Sequence, residues 1–325
     1  DAVRNCDLAY EQNSGRCLIA YYNGTAGVIQ YRVWSATAAA WVIGPTNLTL
    51  TGTSGAVYWL RLEPRLNSNQ IMLAALDSNS DIFCALWDGD TNTFLSISTY
   101  VPTLSAAIAS RECFDLAWEK QNNRCMILWG EGTATRYSLW SSTANAWVVQ
   151  SAAGPNIATT AIWLALASDP RDNSNYIGMT SIDGARDWNV CIWNGTTWGA
   201  LPAEDTDMET NAARCTDVAW EKDSGRCIVV GGDSGAREIS FIAWSEELGW
   251  HDPITGAGTT PSAAPKTPAG TLGLAGDINW LGLIPDPNQN KIICYIIDQA
   301  ADLTTINWTG ATWTGKTVHE LTVSV

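Results

Sequence analysis

The sequence predicts an all-β fold: a six-bladed β-propeller of four-stranded blades, arranged as three pseudo-threefold double blades. Three observations predict it. A hairpin-like stretch occurs three times, as DLAYEQNSGRCLIAYYNG at 7–24, DLAWEKQNNRCMILWGEG at 115–132 and DVAWEKDSGRCIVVGGDSG at 217–235. A second unit alternates with it, as YWLRLEPRLNSNQIMLAALDSNSD at 58–81, IWLALASDPRDNSNYIGMTSIDGARD at 162–187 and NWLGLIPDPNQNKIICYIIDQAAD at 279–302. Both units end on a tryptophan, a short turn and a second aromatic: Trp34…Trp41, Trp87…Phe94, Trp140…Trp147, Trp193…Trp198, Trp244…Trp250 and Trp308…Trp313. The period is therefore about 50 residues, the length of one propeller blade.

Within the first unit, DLAYE is a short apolar strand and QNSG a turn. RCLIAYY is a continuous β-branched and aromatic strand, and NGTAG a second turn opened by Asn-Gly. VIQYRVW is the third strand, SATAAA the third turn, and WVIG begins the fourth. No window holds a 3.6-residue apolar period with caps, so helix is expected in less than about a tenth of the chain. The strands read as apolar runs without alternation, the pattern of sheets buried on both faces by their neighbours. The blades fall at approximately 1–52, 53–105, 106–157, 158–208, 209–274 and 275–325 of a single domain. The first and last blades each come from one continuous segment, so ring closure would rest on face-to-face packing, with or without a covalent clip. The Pro/Gly/Thr-rich stretch 251–270 reads as a surface loop lengthening the link between the fifth and sixth blades.

Composition narrows the function. The 325 residues are 46% hydrophobic and 16% charged, which suits a globular chain. No apolar run approaches the roughly 20 residues that span a bilayer, and no leader pattern opens the sequence. The net charge of −15 disfavours nucleic acid, which needs a basic face. Only two histidines occur, His251 and His319, against 18 tryptophans. There is no Ser/His/Asp set, no nucleophile elbow and no phosphate loop, so an enzyme is not expected.

The repeats align several candidate side chains. Asp7, Asp115 and Asp217 open the first strand of the odd units, and Trp59, Trp163 and Trp280 that of the even units. Near the propeller axis they would alternate as carboxylates and indoles: a ligand site, or more simply caps on backbone amides. Glu11/Arg16, Glu119/Arg124 and Glu221/Arg226 face each other across a hairpin end as ion pairs. Even units carry D-x-x-x-D turns, Asp77/Asp81, Asp183/Asp187 and Asp298/Asp302, which are weak candidates for calcium and otherwise solvated turns. No cofactor is expected. Four N-x-T sequons, at Asn23, Asn47, Asn194 and Asn307, suit a secreted glycoprotein.

The nine cysteines form no CxxC pair. A Cys17–Tyr10 register places Cys6 about 13 Å from Cys17 along the strand, too far for a bridge within the hairpin. Bridges, where they form, run between blades or between molecules, with Cys6–Cys294 closing the ring and Cys84–Cys113 and Cys191–Cys215 after it; the alternative is that several cysteines, the Cys17, Cys125 and Cys227 set among them, are thiols packed as small hydrophobes.

The turns W-N-G-T-T-W at 193–198 and W-T-G-A-T-W at 308–313 resemble the repeats of secreted microbial β-propeller proteins with W-[DN]-G-x-x-W blade turns. More loosely, the units resemble six-bladed fucose-binding lectins. That second resemblance implies sugar sites between blades, each built from an Arg, a Glu and an aromatic. Sugar platforms would then be Trp34, Trp87, Trp140, Trp193, Trp244 and Trp308. The leading functional expectation is an extracellular or cell-surface building block. It self-associates, binds other extracellular proteins, or decorates a filamentous assembly. A glycan-binding lectin is the alternative, and a glycoside-acting enzyme the second alternative.

Overall fold

The repeated sequence unit folds as an antiparallel meander. The computed structural model describes residues 3–49, 55–95, 110–157, 159–200, 208, 214–233, 237–256, 258, 262–263 and 272–319. Sheet 1 runs β1 (Cys6–Tyr10), β2 (Cys17–Tyr22), β3 (Val28–Ser35) and β4 (Ala40–Thr49). Sheet 2 runs β5 (Val57–Pro64), β6 (Gln70–Asp77), β7 (Ile82–Asp88) and β8 (Thr93–Leu95). Sheet 3 runs β9 (Phe114–Glu119), β10 (Arg124–Glu131), β11 (Ala134–Ser141) and β12 (Ala146–Asn156). Sheet 4 has β13 (Ala161–Ser168), β14 (Ile177–Asp183) and β15 (Trp188–Trp193). Sheet 5 has β16 (Thr216–Trp220), β17 (Cys227–Asp233), β18 (Glu238–Ser245), β19 (Gly249–His251) and β20 (Ser262–Ala263). Sheet 6 runs β21 (Ile278–Pro285), β22 (Ile292–Asp298), β23 (Leu303–Trp308) and β24 (Trp313–His319). Among the described residues there is no helix, and hence none long and apolar enough to cross a membrane.

The chain is thus all-β with six sheets, and two of them depart from the expected four strands. In sheet 4, among the described residues, only a bridge from Trp193 to Trp198 stands where a fourth strand would begin. In sheet 5, β19 and β20 both pair with β18, at Ala243–Ser245 and at Ser240–Phe241. Part of the 251–270 stretch therefore returns to its own sheet as a second piece of the fourth strand; 257, 259–261 and 264–270 lie outside the described residues.

The strands gather into two compact units. Residues 1–118 and 122–154 hold sheets 1–3, and residues 119–121 and 155–325 hold sheets 4–6. In the first, Leu18, Ile29 and Val33 of sheet 1 pack with Leu60, Leu73, Phe83 and Trp87 of sheet 2. In the second, one core joins Trp188 and Val190 of sheet 4, Val229 and Phe241 of sheet 5, and Leu281 and Trp308 of sheet 6. Burial on both faces, expected for every sheet, holds for β9, β14 and β15, which are buried throughout. It fails at the first and last sheets. There β3 and β23 alternate strictly between buried and half-exposed residues.

The turn aromatics close each sheet as cross-strand pairs. Trp34–Trp41, Trp87–Phe94, Trp140–Trp147, Trp193–Trp198 and Trp308–Trp313 have ring centroids 5.3–5.5 Å apart, the edge-to-face range in which such pairs add to area burial.

Candidate functional site

Hydrogen bonding assigns most of the aligned residues to architecture. Asp7 Oδ2 accepts the Leu62 amide of sheet 2 (2.9 Å), and Asp217 Oδ2 accepts the Leu283 amide of sheet 6 (2.8 Å). Asp115 takes its own following amide and Arg61 Nε, at 2.9 and 2.7 Å. These carboxylates thus bond backbone amides or a guanidinium. Trp163 and Trp280 lie edge to face, 6.2 Å apart.

In the D-x-x-x-D turns the first carboxylate is taken up by backbone amides. Asp77, Asp183 and Asp298 are buried, and each takes a ring of amides. Asp298 Oδ1 accepts Ala300 and Asp302 N–H, and its Oδ2 accepts Ala275 and Gly276 N–H, all at 3.0–3.1 Å. The second carboxylates, Asp81 and Asp187, are pushed above their ordinary value by burial and then by Asp77 and Asp183. No group of three metal-ligating side chains occurs among the described residues.

The expected disulfides Cys6–Cys294, Cys84–Cys113 and Cys191–Cys215 are not present: none of the nine cysteines is in a disulfide, and only Cys6 is exposed. The buried ones lie inside their own sheets. Cys84 is opposite Ala74, Cys294 is opposite Leu283 and Ile306, and the carbonyls of Cys113 and Cys215 accept Gly130 and Gly232. Burial pushes the Cys191 thiol up to about 12, and those of Cys84, Cys113 and Cys294 higher still. Asn23, Asn47 and Asn194 are exposed, whereas Asn307 is half-buried in β23.

The Glu/Arg pairs do more than the hairpin geometry implies. Arg16 grips Glu11 through Nε (2.8 Å) and Nη2 (3.0 Å), and Trp87 of sheet 2 donates its indole N–H to Glu11 Oε1 (2.8 Å). Ser14 donates to the same carboxylate, and Arg16 reaches the Gly89 carbonyl of sheet 2. A Cβ on Gly89 would strike the Glu11 carboxyl. The cluster repeats as Glu221, Arg226 and Trp308, and the Glu119–Trp193 bond (2.5 Å) repeats its indole arm. An Arg, a Glu and an aromatic do meet between sheets, as the lectin resemblance implies. The carboxylates are 1% exposed and already saturated, so this cluster latches sheets and does not receive a sugar.

The tryptophans sort accordingly. Trp87, Trp140, Trp193 and Trp308 are at most 3% exposed and offer no ring face, which removes four of the six expected platforms. Trp34 and Trp244 stay half-exposed. Trp244 belongs to the most ligand-like corner of the molecule, between sheets 4 and 5. Tyr176 tilts against it at 4.9 Å and stacks on Trp220 at 6.4 Å. Trp220 is anchored by its indole N–H on the Ala167 carbonyl (2.8 Å).

Beside these rings, Asp169 holds Arg171 through two Nε bonds (3.1 and 2.9 Å) and one Nη2 bond (2.5 Å). The Asp169 side chain is fully buried and that of Arg171 is 29% exposed. A side chain on Gly225, at φ +70°, would strike the guanidinium. Burial, then the hydrogen-bonded Glu246 carboxylate, raise the Tyr176 phenol. This corner thus offers two half-exposed aromatic rings, a guanidinium held by a buried carboxylate and an exposed carboxylate. Asp169, Arg171 and Tyr176 carried no expectation. Their signal is length: DPRDNSNY at 169–176 has two more residues than its counterparts RLNSNQ at 65–70 and DPNQNK at 286–291.

Solved structures similar to this chain include a lectin from Burkholderia pseudomallei, with TM-score 0.64, 12% identity, and coverage of 97% of this chain and 84% of that one. A lectin from Aleuria aurantia in complex with Fucα1-6GlcNAc gives TM-score 0.52, 9% identity and 97% and 95% coverage. A chain of a mitotic checkpoint complex gives TM-score 0.54, 14% identity and 96% and 79% coverage. The likeness establishes the fold that these β-propeller lectins share and no more. No protein-family model matches the sequence, and no curated protein matches it.

Proposed function

We propose that this chain is a glycan-binding protein in which the six sheets are blades of a pseudo-threefold propeller. It takes a small neutral sugar in the cleft of Tyr176, Trp244, Arg171 and Glu246. This replaces the extracellular building block as the leading reading. The observation that carries it is the half-open Tyr176–Trp244 corner beside an arginine already fixed by a buried aspartate. Sugar C–H faces stack on indole and phenol rings, while hydroxyls need donors and acceptors held in place before binding. The lectin likeness supports an α-linked fucoside as the first candidate, since the Aleuria lectin was solved with a fucosylated disaccharide. The reading assigns no catalytic group, and it implies a place outside the cell or at its surface. The test is a glycan array followed by a tryptophan-fluorescence titration with α-methyl-L-fucoside. A saturable signal should be lost in Trp244→Ala and in Arg171→Ala while far-ultraviolet circular dichroism shows that each variant is still folded; both substitutions also lower the melting temperature, because Arg171 partners the buried Asp169 and Trp244 packs on the core. Silence of the wild type toward every glycan would overturn the reading.

A further inference from the structure

The latch between sheets 1 and 2 has a counterpart between sheets 2 and 3 in which the charge is reversed. All three sheets belong to the first compact unit. Arg65 stands where the other latches carry Glu11 and Glu221. Its amide donates to the Gln70 carbonyl (2.9 Å), as those of Glu11 and Glu221 donate to the Arg16 and Arg226 carbonyls (2.8 and 2.9 Å). Trp140 stands where they carry Trp87 and Trp308. It pairs with Cys125 as Trp87 pairs with Ile71 and Trp308 with Ile292, on the same two strands of each sheet. The seam is also crossed in the same way. Arg65 Nη1 donates to Ser142 Oγ (2.7 Å), two residues past Trp140, as Arg16 reaches Gly89, two residues past Trp87.

Exchanging glutamate for arginine leaves donors without a carboxylate. Trp87 and Trp308 give their indole N–H to a glutamate. The Trp140 indole is 3% exposed, and no protein group among the described residues accepts its N–H. The same holds for Arg65 Nε, which is buried in the seam. The other guanidinium bonds go to neutral oxygens: Ser142 Oγ, Gln70 Oε1 (2.8 Å) and Asn123 Oδ1 (2.8 Å). Burial pulls the guanidinium pKa down, and no carboxylate opposes it. The Trp118 ring backs the guanidinium at 5.9 Å. A partly buried cation held only by neutral groups gains more from an anion than one already paired. Arg65, Gln70, Asn123 and Ser142 are half-exposed, so the rim of the seam meets solvent.

We propose that the seam between sheets 2 and 3 binds the carboxylate of an acidic sugar, a uronate, which supplies the charge that glutamate supplies in the other latches. The carboxylate takes Arg65 through Nε and Nη2, the edge by which Arg16 holds Glu11, and displaces the Asn123 oxygen. The Trp140 N–H is the third donor, as Trp87 is for Glu11. That an anion binds rests on the unmatched donors alone. That the anion belongs to a sugar rests on the glycan reading: Asp169, Tyr176 and Trp244 hold the places between sheets 4 and 5 that Arg65, Gln70 and Trp140 hold here.

The test is isothermal titration calorimetry at fixed ionic strength with methyl β-D-glucuronide, methyl β-D-glucoside and sodium sulfate. The glucuronide should bind saturably. The glucoside, which has a hydroxymethyl group in place of the carboxylate, should not bind, and nor should sulfate. Arg65→Gln should weaken the glucuronide by about ten- to a hundredfold, the worth of a hydrogen bond to a charged group. Trp140→Phe keeps a ring, loses the N–H and should weaken it about fivefold. Arg65→Glu returns the acid of the other latches. It should abolish glucuronide binding and hold the melting temperature, because the Trp140 N–H then has its acceptor. The three ligands on the wild type decide the charge requirement without any variant. Sulfate binding as tightly as the glucuronide marks an adventitious anion only and overturns the proposal. An unchanged affinity in a folded Arg65→Gln overturns it too. Binding of α-methyl-L-fucoside without the glucuronide overturns this proposal and leaves the glycan reading standing. Binding of the glucuronide without the fucoside upholds the seam and removes the Trp244 corner.

Discussion

At the scale of the residue, the side chains that matter most are buried charges with fully assigned partners. Glu11 takes two arginine N–H groups, an indole N–H and a serine hydroxyl. Removing one partner of such a buried pair leaves the other charge uncompensated, which costs about 3–5 kcal/mol. Glu11→Ala should therefore lower the unfolding free energy read from a denaturant titration by that amount, and an effect below about 1 kcal/mol would mean that the cluster does not hold sheet 2. Glu63 gives a pH signature. Loss of hydration, opposed by Arg61 and reinforced by Asp115 and Asp7, pushes its carboxyl up to about 8 from an ordinary 4.5. The folded state then keeps a proton that the unfolded chain has released. Between about pH 4.5 and 8 the unfolded state binds fewer protons, so stability falls as pH rises through this window. Glu63 is only half-buried, so the slope is shallow. The melting temperature of Glu63→Gln should fall less over the same window than that of the wild type; identical slopes would refute the assignment.

At the scale of the element, the hairpins were legible because their signal is local and repeated. The register Tyr10 opposite Cys17 recurs as Trp220 opposite Cys227, and five of the turn pairs pack their rings edge to face or tilted. What sequence left open depends on neighbours far along the chain. The Glu11–Trp87 bond joins residues 76 positions apart, and nothing in DLAYE distinguishes the exposed Leu8 from the buried Leu116 of DLAWE. The cleft of Arg171 and Tyr176 was hidden for a related reason: a two-residue insertion reads as turn variation until the opposing Trp244 is in place. The D-x-x-x-D turns give a test at this scale. A calcium loop needs both carboxylates and responds to chelation. In the structure Asp298 takes four amides, while Asp302 contributes its own N–H to that ring. Asp298→Ala strands several buried donors, each costing about 1–3 kcal/mol. Asp302→Ala should cost far less, and EDTA should change neither melting temperature. Equal losses from the two substitutions, or a shift on chelation, would restore the metal reading.

At the scale of the whole molecule, covalent closure is replaced by repetition. A Cys6–Cys294 bridge closes a loop of nearly the full chain, which the chain-entropy account values at about 5 kcal/mol. With none of the nine cysteines in a disulfide, that contribution is missing. The two compact units rest instead on Glu–Arg–Trp latches, Asp-to-amide bonds and indole pairs used again and again. Eight of the nine thiols are buried as small hydrophobes, and burial holds Cys84, Cys113, Cys191, Cys227 and Cys294 in the protonated, unreactive form. Such thiols survive an oxidising surrounding because no oxidant reaches them, so an extracellular site and free cysteines are compatible. Two measurements follow from this. A thiol reagent applied to the native protein should modify one cysteine, identified as Cys6 by peptide mapping, whereas the same reagent in denaturant should modify nine. Reductant should leave the melting temperature where it was. Fewer than nine thiols in denaturant, or a lower melting temperature with reductant, would show that a bridge carries part of the stability and that the buried cysteines are more than packing.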